Sequence, residues 1–249
     1  MDSKFTVRIK RLGSPDGSPS WEEFELSFRP GMNIIIALQD IQKRPVTKDG
    51  RATTPVSWEC SCLEEVCGAC TMLVNGHPMQ ACTGLVDKLA TPITLEPLSK
   101  FPVVRDLVVD RSIIFENFKK VRAWVTVDGT YEAGGSGPRV SQEQQQAAYP
   151  LARCITCGCC IEACPQVNPG SPFMGAAVLN QVTLITSYPT GWMNRADSLA
   201  EVRKSGGLAD CGNAQNCARV CPKQIPLVDS IATLNRRAIV DGIKRWFNR

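Results

Sequence analysis

The sequence predicts an α+β fold in two domains, on three observations. Strand-like alternation is confined to the first 110 residues, helical periodicity dominates after them, and 13 cysteines fall in three groups shared between the halves. A chain of 249 residues, 43% hydrophobic and 21% charged, suits two globular domains and excludes disordered and fibrous classes. The longest apolar stretches, residues 32–38 and 101–109, fall far short of the roughly 20 residues that span a hydrocarbon core, and Arg105 and Asp106 interrupt the second. The start, Met1-Asp2-Ser3-Lys4-Phe5, carries no basic region, apolar stretch or twin-arginine pair, so a cytoplasmic location is expected.

In chain order, residues 4–12 alternate Phe5, Val7 and Ile9 with polar residues, and residues 22–28 alternate Phe24, Leu26 and Phe28, which reads as two half-buried strands. Pro15, Asp16, Gly17 and Pro19 make the turn between them. Residues 32–43 place Ile34, Leu38 and Ile41 at helical spacing, and residues 91–98 set Ile93 and Leu95 two apart on a closing strand. Two strands, a helix, a cysteine loop and a closing strand suggest a small sheet wrapped on one helix. Beyond a boundary near Asp110 the text turns helical: residues 112–121 with Phe115 and Phe118, residues 198–204, and residues 226–246 with Leu227, Ile231, Leu234 and Ile239. The Gly-rich residues 129–140 read as a surface loop.

Thirteen cysteines are too many for packing alone in a reducing compartment, so metal binding is the expected explanation. The single histidine, His77, excludes a Rieske centre, a bis-histidine haem and a multi-histidine zinc enzyme, and reads as an exposed residue of the turn Gly76-His77-Pro78. Thiolate chemistry remains.

The first group reads Cys62-Leu-Glu-Glu-Val-Cys67-Gly-Ala-Cys70, with Cys82 twelve residues beyond, the plant-type C-x4-C-x2-C…C spacing of a 2Fe-2S cluster. Small residues Gly68 and Ala69 let backbone N–H groups approach the sulfur atoms, and Asn75-Gly76 makes a hairpin turn before Cys82. A four-cysteine zinc site is the alternative, although zinc ligands more commonly come as two separated C-x2-C pairs. Cys60 lies outside the pattern, on an expected strand, as a buried or partly buried free thiol.

The second group, Cys154-Ile-Thr-Cys157-Gly-Cys159-Cys160-Ile-Glu-Ala-Cys164-Pro165, contains the bacterial run C-x2-C-x2-C-x3-C-P once Cys159 is skipped. In such runs the first three cysteines hold one cubane and the fourth holds the other, so a partner run is required. The third group supplies it with one ligand missing: Cys211-Gly-Asn-Ala214-Gln-Asn-Cys217-Ala-Arg-Val-Cys221-Pro222 has alanine in place of the second cysteine. Exchange of the fourth cysteines assigns Cys154, Cys157, Cys160 and Cys221 to a 4Fe-4S cluster, and leaves Cys164, Cys211 and Cys217 for a second cluster. With three thiolates that cluster is expected to be 3Fe-4S and of higher potential than its neighbour. The alternative is an oxygen or water ligand completing the cubane at position 214. Cys60 and Cys159 are left over as structural thiols.

Together these features resemble the iron-sulfur subunit of the succinate dehydrogenase and fumarate reductase family, the complex II group. The resemblance rests on the cysteine loop, the linker Phe101-Pro-Val-Val-Arg105-Asp106-Leu-Val-Val-Asp110, both later runs in order, and the non-cysteine at 214. The segments Trp58-Glu-Cys60-Ser-Cys62, Asn168-Pro169 to Phe173-Met174-Gly175, Pro189-Thr-Gly-Trp-Met193-Asn194 and Gly206-Gly-Leu-Ala-Asp210-Cys211-Gly-Asn213 are similar to the menaquinone-linked branch. The resemblance implies a plant-type ferredoxin-like β-grasp domain over residues 1–110 and a mainly helical, bacterial two-cluster ferredoxin-like domain over 111–249. It implies an electron-transfer subunit of a succinate:quinone oxidoreductase of the tricarboxylic acid cycle and respiratory chain. Its partners would be a flavoprotein subunit with FAD and a membrane cytochrome b anchor with haem b, at the cytoplasmic face of a bacterial membrane. The ubiquinone-linked branch has a tryptophan shortly after the Cys-Pro of the second group and a histidine after the first cysteine of the third. Val167 or Asn168, and Gly212, stand there instead, so that branch's quinone-binding residues are not carried over.

Residues 1–110 carry 12 Lys+Arg against 14 Asp+Glu, and residues 111–249 carry 16 against 10, so the basic excess sits in the second half. Part of it, Arg236, Arg237, Lys244, Arg245 and Arg249, would suit an anionic membrane leaflet or simply a solvated helix face. Three oxidised clusters at roughly −2 each, thiolates included, cancel the formal excess and remove the electrostatic argument for nucleic acid. Two further readings are compatible with the sequence: the same subunit working as a fumarate reductase, and a free-standing ferredoxin-like carrier. Against the carrier stands the apolar linker 101–109, which suggests a surface made for partners.

Overall fold

The computed structural model describes residues 3–126 and 138–247. The chain divides into two compact units, Met1–Arg111 with Cys157–Glu162, and Ser112–Thr156 with Ala163–Arg249. The division after Arg111 lies beside the expected boundary, but the grouping of Cys157–Glu162 with the first unit is not visible in the sequence order.

In the first unit, β1 (Lys4–Arg11) pairs antiparallel with β2 (Ser20–Ser27), and α1 (Ile34–Lys43) follows. The hairpin β3 (Thr71–Val74) and β4 (His77–Gln80) comes after the cysteine loop, and β5 (Ile93–Glu96) closes the sheet parallel to β1, giving the order β2-β1-β5-β3-β4. Alternation along β1 turns Phe5, Val7 and Ile9 inward, where they meet Ile34, Leu38 and Ile41 of α1 in one core. α1 starts at Ile34 rather than 32 because the Asn33 side chain accepts the Ile36 N–H at 3.0 Å, capping the first turn. His77 opens β4 opposite Val74 instead of sitting in the turn, and it is exposed as expected.

The linker corrects a second expectation. Phe101, Leu107 and Val109 are buried, and residues 101–109 fold as a ribbon of β6 (Val103–Arg105) and β7 (Val108–Val109), leaving Val104 as their one large exposed apolar residue. The ribbon is anchored by Asp106, 1% exposed, whose carboxylate accepts from Arg11 Nε at 3.0 Å, Leu12 N at 3.0 Å and Ser57 N at 2.9 Å. Arg11 also pairs with Glu22, which takes Thr53 Oγ1 at 2.7 Å, so one buried ionic network ties β1, β2, the approach to the cysteine loop and the ribbon together.

The second unit is helical. α2 (Ser112–Lys120) and α3 (Gln142–Ala148) precede the second cysteine run, whose short α4 (Cys159–Glu162) belongs to the first unit. Then come α5 (Ala176–Ile185), α6 (Trp192–Glu201), α7 (Asn216–Arg219) and α8 (Leu227–Phe247). Val178, Leu179 and Val182 of α5 pack with Leu199, Leu234 and Ala238 in the core. α5 and α3 were not foreseen, and α6 covers Trp192–Glu201 rather than 198–204. α5 is buried nearly all round, so it lacks the polar face that marks a helix in sequence. Of the expected loop at 129–140, residues 129–137 lie outside the described residues. Gly191 is required where the chain enters α6, because a Cβ there would overlap the Ile185 carbonyl.

Replacing Asp106 by alanine takes one of its two carboxylate partners from the buried Arg11 guanidinium, which keeps Glu22, and removes the acceptor of the half-buried Leu12 and Ser57 N–H groups. A loss of about 3 kcal/mol is expected, read as a lower urea midpoint for the first unit.

Candidate metal centres

The segment before β3 holds Cys62, Cys67 and Cys70, and Cys82 follows β4. Leu63, Glu65 and Gly68 take left-handed conformations (φ 62°, 57° and 73°), which coil the backbone around Cys62. The coil aims N–H groups at sulfur: Glu64 at 3.4 Å, Val66 at 3.2 Å and Cys67 at 3.3 Å donate to Cys62 Sγ, and Ala69 N donates to Cys67 Sγ at 3.4 Å. Two of these donors, Glu64 and Val66, do most to pull the Cys62 thiol down to about 7. Burial pushes Cys82 up to about 11, with the neighbouring Cys70 thiol adding to the rise.

The loop is held from behind. Arg111, a residue the sequence reading passed over, donates to Gly68 O at 2.8 Å, Ala69 O at 2.9 Å and Glu59 Oε2 at 3.0 Å. Asn33, the cap of α1, donates to Cys82 O at 2.9 Å. A converging set of thiols served by backbone donors fits an anionic 2Fe-2S core, the charge such donors stabilise. Cys60 differs from expectation: it is exposed and lies on no strand.

In the second run, Cys157, Cys159 and Cys160 are buried in the first unit. Glu162 at the end of α4 accepts Ser99 Oγ at 2.5 Å and Lys100 N at 3.1 Å, and Gly158 (φ +93°) leaves space that a Cβ would contest with Phe101 Cζ at 3.1 Å. Cys159, left over by the spacing, hydrogen-bonds the Cys157 thiol. That bond is the main reason Cys157 is lowered to about 7, and the Arg111 guanidinium contributes through its charge. Cys154 and Cys221 are half-buried in the second unit.

The remaining three thiols share one place. Cys164, Cys211 and Cys217 line a cavity of ≈ 420 Å³, its open mouth included, and the Ala214 methyl stands in its wall. Burial raises the Cys217 thiol, and Cys164 and Cys211 raise it further, as neighbouring thiolates would. Asn213 and Gln215 are left-handed (φ 51° and 61°), and Asn216 Nδ2 donates to Ala163 O at 2.9 Å, tying α7 to the second run. Three thiols around a cavity with alanine at the fourth corner fit a three-iron core. A Cβ at Gly212 would meet the Gln166 side-chain amide, so a larger residue there requires that amide to move aside.

Comparison with known proteins agrees with this geometry. Residues 6–116 match the model of a 2Fe-2S iron-sulfur cluster binding domain, and residues 150–225 that of a 4Fe-4S dicluster domain. The chain is 51% identical over 249 residues to the succinate dehydrogenase iron-sulfur subunit of Bacillus subtilis, covering 99% of this chain and 98% of that one. It is 30% identical over 243 residues to the fumarate reductase iron-sulfur subunit of Wolinella succinogenes, covering 96% and 99%. Its fold matches a chain of the Mycobacterium smegmatis Sdh1 complex in the apo form at a TM-score of 0.81 and 22% identity, covering 96% of each chain.

The two thiol shifts predict a pH order in the cluster-free chain. A lowered thiol is thiolate at lower pH and a raised one stays protonated to higher pH. Alkylation by iodoacetamide, followed by peptide mass spectrometry, is therefore expected to reach half-maximal rate near pH 7 at Cys62 and only near pH 11 at Cys82.

Proposed function

Because the chain belongs to the family of iron-sulfur subunits of succinate dehydrogenase and fumarate reductase, we propose that it is the electron-relay subunit of a succinate:quinone oxidoreductase. It works between the FAD of a flavoprotein subunit and quinone, in this reading menaquinone, at a membrane cytochrome b anchor carrying haem b. The observation that carries the reading is the pair of sites on one chain: a four-cysteine loop with N–H groups directed at sulfur, and a three-cysteine cavity with alanine at the fourth corner. Succinate oxidation is preferred to fumarate reduction because the succinate dehydrogenase relative is the more similar of the two.

In this assignment Cys62, Cys67, Cys70 and Cys82 hold 2Fe-2S. Cys154, Cys157, Cys160 and Cys221 hold 4Fe-4S, and Cys164, Cys211 and Cys217 hold 3Fe-4S. Bound clusters supply one-electron carriers in series, with potentials set by cluster type, hydrogen bonds to sulfur and exposure. The protein contributes the settings. Backbone N–H groups from Glu64, Val66 and Cys67 offset negative charge at Cys62, and Arg111 brings a fixed positive charge to the first loop and to Cys157. Burial keeps water from Cys157 and Cys160. Leu63 and Val66, 49% and 57% exposed beside the first candidate cluster, offer the apolar surface on which a flavoprotein subunit would dock. No GxGxxG flavin fingerprint occurs, so succinate chemistry is left to that partner. Among the described residues no helix is long and apolar enough to cross a membrane, which suits a peripheral subunit held at the cytoplasmic face by its anchor.

Low-temperature EPR of the purified complex tests the assignment. The oxidised sample is expected to show a near-isotropic 3Fe-4S signal that disappears with succinate while a 2Fe-2S signal appears. A silent oxidised sample would overturn the three-thiolate site. Ala214→Cys restores the missing ligand, and the oxidised-state signal is expected to vanish as that site becomes a cubane.

A further inference from the structure

The basic residues of α8, which the electron-transfer reading does not use, gather with one from α6 around a groove. Arg195 and Leu199 of α6 and Arg236, Arg237, Val240 and Lys244 of α8 line it, with a volume of ≈ 690 Å³ open to solvent. Asp241 is the sole acid in the lining, and it is already taken by Arg203 at 2.8 Å and Arg245 at 2.9 Å. Arg237 is fixed in place, donating to Ser187 Oγ at 3.0 Å and Thr183 O at 3.2 Å, so its charge is held at the groove by neutral partners. Burial lowers the Arg237 pKa, and the charges of Arg195 and Arg236 lower it further. Among the described residues Arg195, Arg236 and Lys244 have no ion-pair partner.

Beside the groove runs an exposed apolar stripe. Ile239, Ile243, Trp246 and Phe247 fall at i, i+4, i+7 and i+8 of α8, and Val240 joins the stripe to the groove. Trp246 and Phe247 are 73% and 74% exposed. Unneutralised cations next to aliphatic side chains and a terminal aromatic pair match the two halves of one kind of molecule, an anion with acyl chains. Helices that lie in a membrane interface have this composition.

We propose that the groove between α6 and α8 binds the phosphate of an anionic phospholipid, with the Ile239–Phe247 stripe lying against its acyl region. Arg195, Arg236, Arg237 and Lys244 receive the phosphate, and Trp246 sits at the level of the headgroups. The site makes this end of the chain a second membrane contact, independent of any anchor subunit. It does not rest on the cluster assignments.

The test is sedimentation of the full-length, cluster-loaded chain with vesicles of phosphatidylcholine, or of equal parts phosphatidylcholine and phosphatidylglycerol. Binding is expected only with phosphatidylglycerol and is expected to weaken with salt. The triple variant R195Q/R236Q/K244Q is expected to lose roughly a hundredfold in affinity, about fivefold for each charge removed near the surface. The I239S/I243S variant, with its charges intact, is expected to bind several-fold more weakly. K88Q/R105Q/R139Q, with the same loss of charge elsewhere, is expected to bind as the parent does. Visible cluster spectra confirm that each variant is folded. Equal binding to both vesicles, an unaffected R195Q/R236Q/K244Q variant, or an equal loss in the control triple would each overturn the proposal. Tight binding of soluble glycerol phosphate at the groove without vesicle binding would replace the lipid by a free phosphate ester. In intact membranes, photoactivatable phosphatidylglycerol is expected to label the α8 peptide; cross-linking of α8 to another protein subunit instead would mean that a protein covers the face.

Discussion

Anionic sulfur has to be held inside protein, and that requirement organises the rest of the structure. A thiolate taken from water loses solvation that only directed donors or a nearby positive charge can replace. Around Cys62 the replacement comes from the main chain, whose N–H groups survive every side-chain substitution except proline. The left-handed residues Leu63 and Glu65 are the conformational cost of pointing those donors inward, since such residues carry a Cβ that crowds the following carbonyl. At Cys157 the replacement comes first from the Cys159 thiol, then from the Cys159 backbone N–H and the Arg111 guanidinium. The same problem is thus met by the main chain alone in one loop and by the main chain together with side chains in the other.

Arg111 links the two solutions. Its guanidinium is held by two carbonyls of the first loop, Gly68 and Ala69, and its charge acts on Cys157 of the second run. This arrangement depends on residues 157–162 belonging to the first unit, which Glu162 secures by accepting from Ser99 and from the Lys100 backbone. The Asp106 network then holds the ribbon that leads from Lys100 to Arg111. Buried ion pairs gain less than they cost unless every partner is satisfied. Here Asp106 accepts from a guanidinium and two backbone groups at once, so its value lies in fixing where the chain runs.

The first unit was legible because its signals are periodic and local. Alternation along β1, the cap and spacing of α1, and Asn75-Gly76 between β3 and β4 each specify an element within a few residues. The cysteine spacings are intervals in the chain and are read from it directly, and the ligand sets proposed above are drawn from those intervals. The linker was misread, because Phe101, Leu107 and Val109 face inward from a ribbon whose pairing includes an irregular register and a left-handed Asp106, neither of which has a period. Cys60 was misread because a single apolar thiol beside a ligand looks like core. α5 hid because burial on nearly every side removes the amphipathic pattern, and Arg111 because its role joins segments far apart in sequence, the loop at Gly68 and Ala69 and the run at Cys157.

α8 shows how one helix can serve several solvents. Leu227, Leu234 and Ala238 are buried, and the last two join the core of the second unit, while Arg236, Arg237 and Lys244 turn to the groove shared with α6, and Ile239, Ile243 and Phe247 face out. A helix whose only task was to close the core would be expected to carry polar residues on its remaining surface, where large apolar side chains gain nothing from water. The stripe therefore asks for an apolar neighbour, and the groove beside it asks for an anion. Position along the helix sorts these demands: core contacts dominate the first half, and exposed apolar and basic residues crowd the last three turns. The end of the chain is built as a surface, and the core helix is the rigid base that presents it.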